Sequence, residues 1–186
     1  MFIIKQTQRG TTLIEALIAA VIIGVGLLSI ASLQTKAMQG STEAEYRAKA
    51  TDLAWTLADR IRANMPADNR YLTTSTITSC PTPNAGGNVC MQTPGGSAIT
   101  AGTCSANDMA DGDIQSLFCG TDIGISDRLP GGTLNINCTD NLAGDGDACS
   151  PGSQMTITIT WLTRSDPFGD DDFTDQIVMP VIPGAP

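Results

Sequence analysis

Two sets of residues in this 186-residue chain have the types and spacing to do chemistry. The first is a single carboxylate. Glu15 stands two residues past Leu13 in a run of Ala, Val, Ile, Leu and Gly that continues to Leu33, and it is the only charge in that run. An acid costs about 2–3 kcal/mol near the centre of a bilayer and less toward its edge, so one kept there implies a partner for its charge. The second set is six cysteines, at 80, 90, 104, 119, 138 and 149. Zinc sites are built from closely spaced Cys and His, but this chain has no CxxC pair and no histidine. An even count in loop-like sequence points instead to three disulfides made in an oxidising compartment. Six cysteines allow 15 pairings. Cys138–Cys149 is favoured because it would close the base of a single loop.

Other chemistry is poorly provided for. Without histidine there is no Ser-His or Cys-His dyad to activate a nucleophile. No glycine-rich loop leads into Lys and Ser/Thr to cradle a phosphate. Asp145-Gly146-Asp147 and Asp170-Asp171-Asp172 have oxygen ligands of the kind calcium takes, but neither has EF-hand spacing, and both read as solvated loop carboxylates. Paired carboxylates for glycoside hydrolysis have no pocket signal behind them. The expectation is a non-enzymatic protein with no cofactor and no metal.

Charge narrows the partners. Ten Lys+Arg against 19 Asp+Glu give a formal net charge of −9, which opposes nucleic-acid binding, where cations must displace counterions from phosphate. Glu15 is the only acid in the first 42 residues, whereas the sequence after Met65 holds most of the Asp. An acidic, Gly/Ser/Thr/Asn-rich region of that kind suits an exported surface.

The element that must position Glu15 is a helix. Leu13 to Leu33 is long enough to cross a hydrocarbon core of about 30 Å at a rise of about 1.5 Å per residue. Lys5 and Arg9 precede it, which places the N-terminus in the cytoplasm and everything after about residue 35 outside. A cleaved secretory signal is the plain alternative, and Ser29-Ile30-Ala31 has the small-x-small form of a cleavage site. A signal core gains nothing from an early acid, however, and the sequence after Ala31 continues as helix. A simple membrane anchor is equally ill served by Glu15.

The short basic leader, Gly10, then Thr11-Thr12-Leu13-Ile14-Glu15 and the apolar run resemble the type III signal of type IV pilins and pseudopilins. The resemblance implies cleavage by prepilin peptidase between Gly10 and Thr11, methylation of the new N-terminus, and Glu15 as the fifth mature residue. It further implies that Glu15 pairs, in the assembled filament, with the positively charged N-terminus of a neighbouring subunit. An opposite charge within a few ångströms offsets much of the cost of desolvating the acid. The family usually has Phe where this chain has Thr11.

Beyond the membrane the helix is expected to run on. No proline lies between Gly40 and Asn64, and Tyr46, Ala50, Leu53, Leu57, Ile61 and Met65 recur every three to four residues as one apolar stripe. Pro66 ends it. Gly24, Gly26 and Gly40 are the points where it should bend or fray. Trp55 falls off the centre of the stripe and is expected at the edge of the interface with the rest of the fold. Pro66 to Gly112 reads as a long disulfide-held loop region, and Asp113 to Leu129 as one or two short helices interrupted by Gly120 and Gly124. Pro130-Gly131-Gly132 makes a turn. Thr133–Cys138 and Met155–Trp161 alternate cleanly, and Gln176–Val181 fits a third strand. Three antiparallel strands covering the helical stripe make an α+β layer, which matches the pilin fold.

Leu57–Asn64, the Leu129–Gly132 turn and the strand end Ile159-Thr160-Trp161 resemble the minor pilins of the type IV pilus modification protein PilV family. The organisation this implies is a leader at 1–10, a transmembrane and assembly helix at 11–33, its amphipathic half at 34–65, and a periplasmic or extracellular head at 66–186. The partners it implies are prepilin peptidase, other minor pilins, the major pilin, a tip adhesin and the inner membrane, with a final place at the pilus tip. A type II secretion minor pseudopilin shares the same leader. A secreted disulfide-rich binding or hydrolytic domain, starting at Ser32, is the alternative from another class.

Overall fold

The computed structural model describes residues 12–64, 68–81, 90, 104–142, 144–164 and 173–183. Along the chain these form α1 (Leu13–Ala63), α2 (Asp68–Tyr71), α3 (Ala106–Cys119), α4 (Ile125–Arg128), β1 (Thr133–Thr139), β2 (Gln154–Arg164) and β3 (Phe173–Val181). The chain divides into two units between Thr42 and Glu43.

The first unit is built from the start of α1. The Thr12 carbonyl accepts from the amides of Glu15 and Ala16 at 3.0 and 3.3 Å, which opens the helix. Ala and Leu favour it and no proline interrupts it, and α1 continues through Gly24, Gly26 and Gly40. The leader, with Gly10 and Thr11, lies outside the described residues.

The second unit holds the core. Along the rest of α1, Ala50, Leu53, Ala54, Leu57, Ala58 and Ile61 are buried and Tyr46 packs against them, so the expected stripe is present and alanines at i+1 widen it. Met65 and Pro66 lie outside the described residues. Trp55 is 53% exposed, because position 55 sits more than a quarter-turn from every large aliphatic of the stripe.

α3 begins seven residues before Asp113, inside the segment read as loop. Its start is set by a capping box: the Ser105 hydroxyl accepts from the Asp108 amide and the Asp108 carboxylate accepts from the Ser105 amide. Ala110, Ile114, Leu117 and Phe118 then face the core at helical spacing, and Gly112 is carried within the helix. The region after Pro66 also contains α2, so it is not all loop.

The three strands form one antiparallel sheet in the order β1-β2-β3. The register sets Leu134 opposite Ile159 and Ile136 opposite Ile157, then Ile159 opposite Ile177 and Met155 opposite Val181. Leu134, Ile136, Met155, Ile157, Ile159 and Trp161 are fully buried and join the α1 stripe and α3 in one core. β3 begins at Phe173 rather than Gln176, because Phe173–Asp175 pair with the end of β2 across a register shift between Leu162 and Arg164. The outer edge of β1 is bonded at Leu134 and Ile136. Thr73 and Ile77 donate their amides to the Ile136 and Leu134 carbonyls, and the Leu134 amide donates to the Ile77 carbonyl.

All six cysteines are paired: Cys80 with Cys119, Cys90 with Cys104, and Cys138 with Cys149. The first pair ties the segment after α2 to the end of α3. The third closes the loop between β1 and β2.

Candidate functional site

Twelve large aliphatic side chains between Leu13 and Leu33 are each more than half exposed, and they lie all round the helix. The richest 18-residue window has a mean hydropathy of 2.6 and none of it is buried. Burying one such side chain is worth about 1.5–3 kcal/mol. Twelve of them outweigh the few kcal/mol that a single carboxylate costs in a bilayer, so the segment enters an apolar phase despite Glu15. A helix apolar on every side needs lipid or other helices around it.

Polar groups in this segment differ in how they meet that phase. The Ser29 hydroxyl donates to the Val25 carbonyl at 3.0 Å and the Thr35 hydroxyl to the Ala31 carbonyl at 3.1 Å, so both are satisfied within the helix. Glu15 has no such internal solution. Its side chain is exposed in the first turn of α1 with no partner among the described residues. The position favours an anion electrostatically, since the N-terminal end of a helix carries partial positive charge. That eases the cost without supplying a counter-ion.

The second unit carries a buried polar cluster that sequence reading missed. Tyr71 is fully buried at the end of α2, and its hydroxyl donates to Asp113 Oδ2 at 2.6 Å. Asn64 Nδ2 donates to the Tyr71 oxygen at 3.2 Å and to the Ala106 carbonyl at 2.7 Å. Arg60 Nη1 reaches Asp113 Oδ1 at 3.2 Å and the Ser116 hydroxyl at 2.6 Å. Burial pushes the Tyr71 hydroxyl well above its ordinary range, and the hydrogen bond to Asp113 adds to this. A phenol held protonated beside a carboxylate already paired with Arg60 is poorly placed to act as nucleophile or base. The cluster ties the end of α1, α2 and α3 to one another. No short motif marks it, because Arg60 and Asp113 are 53 residues apart.

The Asp145-Gly146-Asp147 loop is closed on itself. Asp145 Oδ1 accepts the Asp147 amide at 2.9 Å and its Oδ2 accepts the Ser150 hydroxyl at 2.6 Å. Asp140 accepts the Ser150 amide and the Ser153 hydroxyl, both at 3.0 Å, and the first of these does most to hold its carboxyl down to about 2. Among the described residues no three His, Cys, Asp or Glu side chains converge as a metal would require. Asp170-Asp171-Asp172 lies outside them.

Of the sequence-derived site residues, the structure brings together the cysteines in their three pairs and, among the described residues, gives Glu15 no partner; Gly10 and Thr11 lie outside them. Comparison with known proteins gives two matches. Residues 5–31 match the family described as the prokaryotic N-terminal methylation motif, and residues 32–115 match the one described as type IV pilin Tt1218. No curated protein and no solved structure matches the chain.

Proposed function

We propose that this chain, whose residues 5–31 and 32–115 match two abutting family models, is a type IV pilin, and within that family a minor pilin processed between Gly10 and Thr11 and assembled through Glu15. The family is structural rather than enzymatic. The long apolar helix, the small antiparallel sheet and the three disulfides fit the pilin α+β fold. The methylation motif carries with it processing by prepilin peptidase and assembly with other pilins, and the apolar helix anchors the subunit in the membrane beforehand.

One observation carries the finer reading: Glu15 is the lone charge in the apolar, exposed stretch from Leu13 to Leu33 that opens α1, and it lies within the matched motif. Removing the leader after Gly10 leaves a positively charged amine four residues before it. In the inner membrane the helix waits with its N-terminus at the cytoplasmic face, where water and headgroups still reach the acid. In a filament the helices pack side by side, and the methylated amine of a neighbour, within a few ångströms, offsets the desolvation of Glu15. The acid thereby selects axial register, as a lone polar residue does in a coiled coil. In keeping with the resemblance to the PilV family, the subunit joins other minor pilins at the tip, primes assembly on the major pilin and supports an adhesin.

The experiment is mass analysis of the mature N-terminus in protein recovered from sheared filaments, with Glu15→Ala and Glu15→Lys alongside. A chain beginning at methylated Thr11, with both variants inserted in the membrane but missing from filaments, is the expected result. A mature form beginning at Ser32, or normal piliation by Glu15→Lys, would overturn it.

A further inference from the structure

Among the described residues no strand pairs with the outer edge of β3, and the chemistry of that edge is unusual. β3 is the outer strand, and in an antiparallel ladder the backbone groups of alternate residues point toward the neighbour and away from it. Pro180 fixes which residues do which. Lacking an N–H, it stands opposite Thr156 in a pair that is not hydrogen-bonded, so Thr174, Gln176, Val178 and Pro180 turn their backbone groups outward. The rest of the sheet agrees with that phase. The Leu162 amide leaves β2 on the side away from β3, reaching the Pro130 carbonyl at 2.9 Å. On β1, the Leu134 and Ile136 amides point away from β2, to the Ile77 carbonyl and the Thr73 hydroxyl.

Two of the four outward positions on β3 have no donor to offer. Pro180 has none by constitution. The Gln176 amide is already taken by Asp175 Oδ1 at 2.8 Å. Asp175 is in turn held by Arg47 of α1, whose Nη2 reaches its two carboxylate oxygens at 2.9 and 2.8 Å. The donors left are those of Thr174 and Val178, four residues or about 13–14 Å apart. No two successive outward positions keep a free donor, so an added strand would find the carbonyls but lose the donor half of the ladder at every second outward position.

We infer that Pro180, together with Asp175 capping the Gln176 amide under the hold of Arg47, shields the edge of β3 against strand addition, so that neighbouring subunits meet this unit through side-chain surfaces and not by extending its sheet. An unprotected edge is a template for self-pairing. With the opposite edge bonded to Thr73 and Ile77 at Ile136 and Leu134, both edges of the sheet, among the described residues, carry a hindrance to extension. The Arg47–Asp175 ion pair gains a second task beyond joining α1 to β3, namely fixing the carboxylate in the orientation that occupies the neighbouring amide. The shielding follows from β3 alone, whatever the subunit assembles with.

The test is hydrogen exchange over residues 173–181 of the full chain in detergent micelles, read at rising protein concentration for wild type, P180V, D175A and D175A/P180V. Wild-type exchange should not depend on concentration. D175A/P180V restores donors at all four outward positions, and its β3 amides should slow by about tenfold as concentration rises, the effect of a newly made hydrogen bond. The single variants should fall between. P180V leaves the Arg47–Asp175 pair intact and gives Val178 and position 180 successive donors, so it decides the matter if the double variant fails to keep three disulfides and wild-type circular dichroism. Concentration-independent exchange in the folded variants, or concentration-dependent protection of β3 in wild type, would overturn the inference.

Discussion

Tyr71 and Asp113 show how a single buried pair divides its labour. The Tyr71 hydroxyl fills one oxygen of Asp113 while Arg60 fills the other. Tyr71→Phe removes a donor but leaves the carboxylate opposite its cation, so it should cost about 1–2 kcal/mol of stability. Asp113→Ala leaves a buried hydroxyl and a part-buried guanidinium without their acceptor, and should cost about 3 kcal/mol. Denaturant unfolding of both variants gives the order directly, and an equal loss in the two would mean that the Arg60–Asp113 contact adds nothing to stability. None of this was legible beforehand. Arg60, Tyr71 and Asp113 each read as an ordinary polar residue near a helix, and only the packing of α3 over the end of α1 makes them neighbours. Glu15 was legible for the opposite reason: its meaning comes from residues adjacent to it in sequence.

At the scale of elements, the parts with strict periodicity were readable and the parts set by caps and crossings were not. β1 and β2 alternate because every second side chain enters the core, so Leu134–Cys138 and Met155–Trp161 announced themselves. β3 opens with Phe173-Thr174-Asp175-Gln176, whose alternation is hidden by polar residues at an open edge. α3 lost its first two turns to the reading of Gly112 as a loop residue, although Ser105 and Asp108 stand at capping-box spacing. The join between α3 and α4 depends on Gly124. A Cβ placed there would lie 2.5 Å from the Gly120 nitrogen and 2.7 Å from the Phe118 carbonyl oxygen, both backbone atoms that cannot step aside. Gly124→Ala should therefore lower the unfolding midpoint by more than Gly144→Ala, where nothing lies within 4 Å and the positive φ of 107° sets the whole penalty. Thermal melts of the two variants make the comparison, and equal midpoints would refute the crowding at Gly124.

At the scale of the whole chain, two solvents are written into one sequence. The first thirty residues of α1 expose aliphatics on every side, whereas the unit from Glu43 buries its own in a single core of α1, α3 and sheet. A fragment starting at Glu43 should stay in solution without detergent and keep the full chain's near-ultraviolet spectrum. Precipitation of that fragment under non-reducing conditions would show that its core is incomplete. The cysteines add a constraint of order. Cys80 pairs with Cys119 across the Cys90–Cys104 pair, whereas Cys138 finds Cys149 within its own loop. A chain oxidised in the sequence in which it is translocated meets Cys90 first as a partner for Cys80, and joining those two is the wrong bond. The nested arrangement therefore leads us to expect that the yield of correctly paired subunit falls when no disulfide isomerase is present to undo a Cys80–Cys90 bond, whereas the Cys138–Cys149 loop should close under an oxidase alone.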